Sequence, residues 1–286
     1  MAVVTDSTAY LPPELLRRHH VTVVPLQVVI GNRALDEGTE ADPATVADAL
    51  RNWRPVSTSR PNPAAFAKAY QDAAAAGAEA VVSVHLCADL SGTLASAQRA
   101  AQQASLPVHV VDSRSMAMGL GFAVLAAVEA AEAGGSAEQV AAAATRRAEA
   151  VSAFFYVDTL EHLRRGGRIG AAQALLGSAF AVKPLLHLVG GRIEPLEKVR
   201  TSARAISRLE EIAVDRAAAA ATDRVDVAVQ HLANAARAET LAAHLAGRVP
   251  RLGELYLGEV GAVVGAHTGP GMLAVVVSPR SSSAGR

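Results

Sequence analysis

Short valine-rich runs alternate with longer alanine-rich segments through the first half of the chain. AVVT (2–5), VTVVPLQVVI (21–30), AEAVVSVHL (78–86) and PVHVVDS (107–113) read as strands, since β-branched residues suit a pleated, buried surface. Helices are predicted at LPPELLRRH (11–19) and after Asp42-Pro43 and Asn62-Pro63, where a capping side chain precedes a first-turn proline. Two more follow, one from Ser91 and one long and alanine-rich after Ser113. Gly31-Asn32 is a turn pair, and PVSTSRP (55–61) reads as a proline-bracketed loop too polar for the core. This alternation predicts an α/β layer around a mainly parallel sheet.

From about Ala150 the pattern changes. SAFFYVDT (152–159) is strand-like, LEHLRRGG (160–167) helical, and AAQALLGSAFAV (171–182) an apolar helix. PLLHLVGGRIEPLEKVR (184–200) reads as two strands joined at Gly190-Gly191, a hairpin. Helices then alternate with RVDVAVQHL, ELYLG and LAVVVS, which predicts a mixed or antiparallel sheet with helices. The expected division is 1–150 and 151–280, with SSSAGR (281–286) a disordered tail.

Composition narrows the function. The 286 residues carry 27 basic and 27 acidic side chains and only 3% aromatics, which argues against nucleic acid as a partner. Cys87 is the only cysteine, so no internal disulfide or cysteine metal cage is expected. The start lacks the basic segment of a signal peptide, and MAMGLGFAVLAAVEAA (116–131) is too short and weakly apolar to span a membrane. A soluble cytoplasmic protein is the expectation.

Nine histidines suggest metal chemistry, but none has a ligand spacing, and no metal is expected. His267, in VVGAHTGPGM, is placed in a glycine-rich loop where its ring can face a cavity. Walker and dinucleotide glycine patterns are absent, as is the G-x-S-x-G elbow. ADLSGTLASAQ (88–98) follows a strand and opens a helix, so Ser91 has three readings. It can be a nucleophile served by His267 with Asp6 or Asp112, a helix cap, or part of an anion cradle with Gly92, because the first amides of a helix are unpaired.

Seven segments together resemble the DegV family of bacterial fatty-acid-binding proteins: VVTDSTAYLP, STSRPNPAAFAKAY, LSGTLASAQRAA, VVDSRSMAMGLG, TLEHLRRGGRIG, VKPLLHLVGGRIEPLEKVRT and HTGPGMLAVVV. The resemblance implies a two-domain α/β fold holding a long-chain fatty acid and no cofactor. It also implies a non-catalytic carrier that presents the lipid to a separate ATP-dependent kinase subunit, which makes an acyl phosphate for phospholipid synthesis. By the same resemblance Thr58, Ser91 and His267 hold the carboxylate, and Arg200 is a head-group or phosphate contact. Cys87-Ala88-Asp89 and Arg60 depart from the family's usual residues.

A buried carboxylate must be hydrogen-bonded, and two hydroxyls, a backbone N–H near Gly92 and an imidazole would satisfy it without a fixed cation. Each buried CH₂ of a tail adds about 0.8 kcal/mol. Leu120, Leu175, Leu176, Phe180 and Leu186 are candidate liners, although the same residues suit plain core. The basic loop RRGGRI (164–169) is either a solvated turn or, through Arg164 and Arg165, a docking surface for the kinase subunit. A lipid-responsive regulatory protein and a serine esterase or thioesterase are the competing readings.

Overall fold

Pro25 splits the strand expected over 21–30 in two, because a proline nitrogen cannot donate to a sheet ladder. The computed structural model describes residues 1–59, 61–175 and 183–280; Arg60, Leu176, Phe180 and the 281–286 tail lie outside them. Its first strands are β1 (Ala2–Asp6), β2 (Thr22–Val24), β3 (Gln27–Ile30), β4 (Arg33–Asp36) and β5 (Val56–Ser59). Then come β6 (Val81–His85), β7 (Val108–Asp112), β8 (Ser152–Tyr156), β9 (Lys183–Val189) and β10 (Arg192–Val199). The last are β11 (Val225–His231), β12 (Leu252–Glu259) and β13 (Leu273–Pro279). The helices are α1 (Pro13–Arg18), α2 (Pro43–Arg51), α3 (Pro63–Ala75), α4 (Thr93–Ala101) and α5 (Met118–Glu132). They continue with α6 (Ala137–Ala150), α7 (Glu161–Arg165), α8 (Ser202–Ala219), α9 (Ala235–Arg248) and α10 (Ala262–Thr268).

The first sheet has the order β2-β1-β6-β7 and is parallel throughout, as the alternation predicts. A six-stranded sheet, β10-β9-β8-β13-β11-β12, is antiparallel except for β11–β12. The α/β class with a mixed C-terminal sheet is therefore as expected. The small antiparallel sheet β4-β3-β5 is not. Its edge strand β5 occupies 56–59, part of the stretch expected to be a loop: an edge strand exposed on one side tolerates Ser57 and Ser59.

Over its first two turns, Met118–Val124, helix α5 is apolar on every side because it is buried on every side. It packs with Val82 and Val84 of the parallel sheet and Ala228 and Val276 of the mixed sheet in one core. Gly121 lets α5 lie close to the turn after β1, since a β-carbon there would lie 2.8 Å from the Ala9 carbonyl oxygen. Buried polar groups then fix the turn that follows β6. Asp6 accepts from His85 Nδ1 and from the Leu86 amide, both at 3.0 Å, and His85 Nε2 meets Ser83 Oγ at 2.7 Å. All three side chains are buried, so this is a fully satisfied structural relay. Among the described residues no helix is long and apolar enough to cross a membrane, and no three metal-ligating side chains are grouped to hold an ion.

Candidate functional site

His267 lies not in a loop but in the last turn of α10. Val263, Val264 and Ala266 are buried, and the helix runs on to Gly269, whose φ of 75° ends it. The ring is brought to β5, where Nε2 meets Thr58 Oγ1 at 2.9 Å. Its other nitrogen, Nδ1, is buried without a hydrogen-bond partner among the described residues. The backbone of Gly166 lies against that side; a β-carbon there would fall 2.0 Å from Nδ1. Burial first, and then the charge of Arg168, push the imidazole down to about 4, so it is neutral at physiological pH.

This has a measurable consequence for stability. Below pH 6.5 the unfolded chain takes up a proton that folded His267 refuses until about pH 4. Stability is therefore lost as pH falls through that window, and His267→Gln should remove about 3 kcal/mol of the loss between pH 7 and 4. Urea unfolding at the two pH values tests this; an unchanged difference would show that the ring is not held neutral.

Ser91 sits in the turn between β6 and α4, where its own amide and that of Leu90 bond the Cys87 carbonyl. Its Oγ accepts weakly from the Thr93 amide at 3.3 Å and shares a 2.8 Å hydrogen bond with Thr93 Oγ1. Ser91 is not the N-cap of α4, although it takes this one first-turn amide. Gly92, at the N-cap, has an ordinary φ of −75°, so its use lies in leaving the backbone uncovered rather than in turn geometry. The triad named for the nucleophile reading is not assembled: Asp6 accepts from His85 and Asp112 from the Arg114 amide, and neither is bonded to His267.

Arg168 is the residue that sequence reasoning missed. Gly167, at φ 70°, reverses the chain after α7, so that Arg168 leaves the exposed face of Arg164 and Arg165. Its Nε donates to the Leu90 carbonyl at 3.0 Å and its Nη1 to that of Gly166 at 2.5 Å. Its Nη2 makes no hydrogen bond among the described residues. A guanidinium therefore stands beside Thr58 and Ser91, a group the expected set of donors did not include.

Thr58, Leu90, Ser91 and Arg168 form a neck between two spaces. Inside it lies an apolar cavity of about 40 Å³, bounded by Leu86, Met116, Leu163, Ile193 and Val263 with His267 at the polar end. Outside it an open, more polar groove of about 540 Å³ runs past Asp89, Gly92, Gln98 and Gly167. Asp89 is held by Arg192 at 3.0 Å, at the hairpin of the other sheet.

The remaining expected residues lie elsewhere. Arg164 and Arg165 are exposed and both paired with Glu161, whose carboxyl they hold down at about 2; the Arg165 guanidinium lies 5.6 Å from the centre of exposed Trp53. Arg200 is exposed between β10 and α8 and lines neither space. Leu120 packs in the core around α5, and Leu175 and Leu186 pack in the cluster behind the cavity wall without lining it.

The chain matches the family described as "Uncharacterised protein, DegV family" over residues 1–280. A DegV domain-containing protein of Streptomyces coelicolor is 61% identical over 280 residues, covering 98% of this chain and 99% of that protein. The solved structure of a fatty-acid-binding DegV family protein from Thermus thermophilus superposes with a TM-score of 0.91 at 35% identity, over 98% of this chain and 99% of that one. Bacillus subtilis DegV, a fatty acid binding protein, superposes at 0.88 and 34% identity, again over 98% and 99%.

Proposed function

The chain belongs to the DegV family, and from that premise we propose that it binds a long-chain fatty acid, carboxylate at the neck and tail inward. The observation that carries this reading is the neck itself. Hydroxyl, imidazole and guanidinium donors converge where a polar groove meets an apolar cavity, the arrangement an amphiphile with one anionic end requires. At about 40 Å³ the cavity has room for only a few water molecules, far short of an acyl tail. A tail must therefore part the side chains around it, and Met116 and Leu90 are unbranched at the β-carbon and able to move. Solved relatives at 34–35% identity are described as fatty acid binding, which supports the same ligand here.

In this reading the protein is a carrier rather than an enzyme and acts in the cytoplasm. Its halves, 1–150 and 151–280, form two domains that close on the lipid. The open groove leaves the head group accessible to a kinase subunit acting in trans, with Arg164, Arg165 and Arg200 as docking or phosphate contacts. Mass spectrometry of organic extracts of the purified protein should find a long acyl chain, and added oleate should bind. Neither endogenous acyl chain nor oleate uptake would overturn the proposal.

A further inference from the structure

Thr58 and His267 belong to one structural unit. Thr58 lies on β5, whose neighbour β3 pairs on its other side with β4. Glu37, immediately after β4, is only 6% exposed, and it reaches from the small sheet to the start of α10. Its Oε1 accepts from the Val263 amide at 2.7 Å and from the Tyr10 hydroxyl at 3.0 Å. Its Oε2 accepts from Ser7 Oγ at 2.5 Å. The Tyr10 oxygen in turn accepts from the Val264 amide at 3.2 Å.

The seven-residue α10 has no capping side chain of its own, because Gly261 stands at its N-cap. A β-carbon at Gly261 would lie 2.3 Å from Glu37 Oε1, so the glycine makes room for a cap supplied from far away in sequence. A helix this short does not hold itself by its own ladder. Its seat is set by these caps and by Ala262 and Ala266 against Val28, Ile30 and Leu35.

We infer that Glu37 is a positioning residue for the head-group site: it locks the helix carrying His267 to the sheet carrying Thr58 and so sets their 2.9 Å contact. The use of that contact rests on the fatty-acid reading; the contact itself is a property of the lipid-free protein. Nitrogen-15 NMR titration of His267 in the lipid-free full chain, alongside oleate binding, tests it with Glu37→Ala, Glu37→Gln and Tyr10→Phe. In Glu37→Ala the His267 midpoint should rise from about 4 towards 6.5. Oleate affinity should fall about tenfold, the scale of one helix cap. Glu37→Gln retains an acceptor for the Val263 amide and should restore both. Tyr10→Phe should move the midpoint the same way by a smaller step, and it decides the matter if Glu37→Ala does not fold. A wild-type midpoint in the folded variants overturns the inference, even with a lowered melting temperature. If wild-type protein takes up no oleate, the fatty-acid reading fails while the titration still decides the role of Glu37.

Discussion

Alanine at position 166 should lower fatty-acid affinity by about 10- to 100-fold without disturbing the backbone. Gly166 has φ −75°, a conformation any residue adopts, so the substitution acts only through its added methyl group. That methyl would sit 2.0 Å from His267 Nδ1 and 2.7 Å from Cε1, and the ring must leave its seat. Overpacking of this kind costs about 1–3 kcal/mol, and a lost hydrogen bond to a charged head group costs a similar amount. Competition against a fluorescent fatty acid measures the loss, and circular dichroism checks the fold. The decisive control is His267→Ala: with the ring gone, Gly166→Ala should cost almost nothing more. Equal penalties in both backgrounds would show that Gly166 acts elsewhere.

Arg168→Met should separate binding from reaction. Its Nε and Nη1 are occupied by the Leu90 and Gly166 carbonyls, leaving Nη2 for an anion at the neck. A carboxylate there keeps Thr58, Ser91 and His267, and tail burial supplies most of the affinity at about 0.8 kcal/mol per CH₂. Fatty-acid Kd should therefore rise only about tenfold, the scale of one charge-assisted hydrogen bond. Formation of acyl phosphate by a kinase subunit should fall about a hundredfold or more, the scale of removing one preorganised donor from developing charge. Methionine keeps the stem's apolar contacts, so the comparison isolates the guanidinium. A variant with full acyl-phosphate formation would exclude Arg168 from the reacting end.

The fold was legible wherever local chemistry decides it. Asp42 and Asn62 cap their helices as their proline-followed positions imply, accepting from the Thr45 and Ala64 amides. Gly31, at φ 66°, turns β3 into β4. Thr58, Ser91 and His267 were singled out through the resemblance, and they come together around one space although Thr58 and His267 stand 209 positions apart. What escaped depends on long-range packing. RRGGRI reads as a uniform basic turn, and only the left-handed Gly167 sends Arg168 to the opposite side from Arg164. Glu37 drew no reading from the sequence because its partners, Ser7, Tyr10 and Val263, are contributed by other parts of the chain. Alanine-rich helices fit slot and core equally well, so the sequence left Leu120 open between liner and core, and it packs in the core.

The position of β13 bears on how the protein is made. This strand, Leu273–Pro279, is central in the six-stranded sheet, paired with both β8 and β11. A ribosome-bound chain lacking it presents two unpaired strand edges and cannot close that sheet. Helix α10, which ends only a few residues before β13, rests instead on the small sheet through Val28, Ile30 and Leu35. The nascent chain can complete β2-β1-β6-β7 early, whereas the six-stranded sheet closes only after residue 279 has emerged.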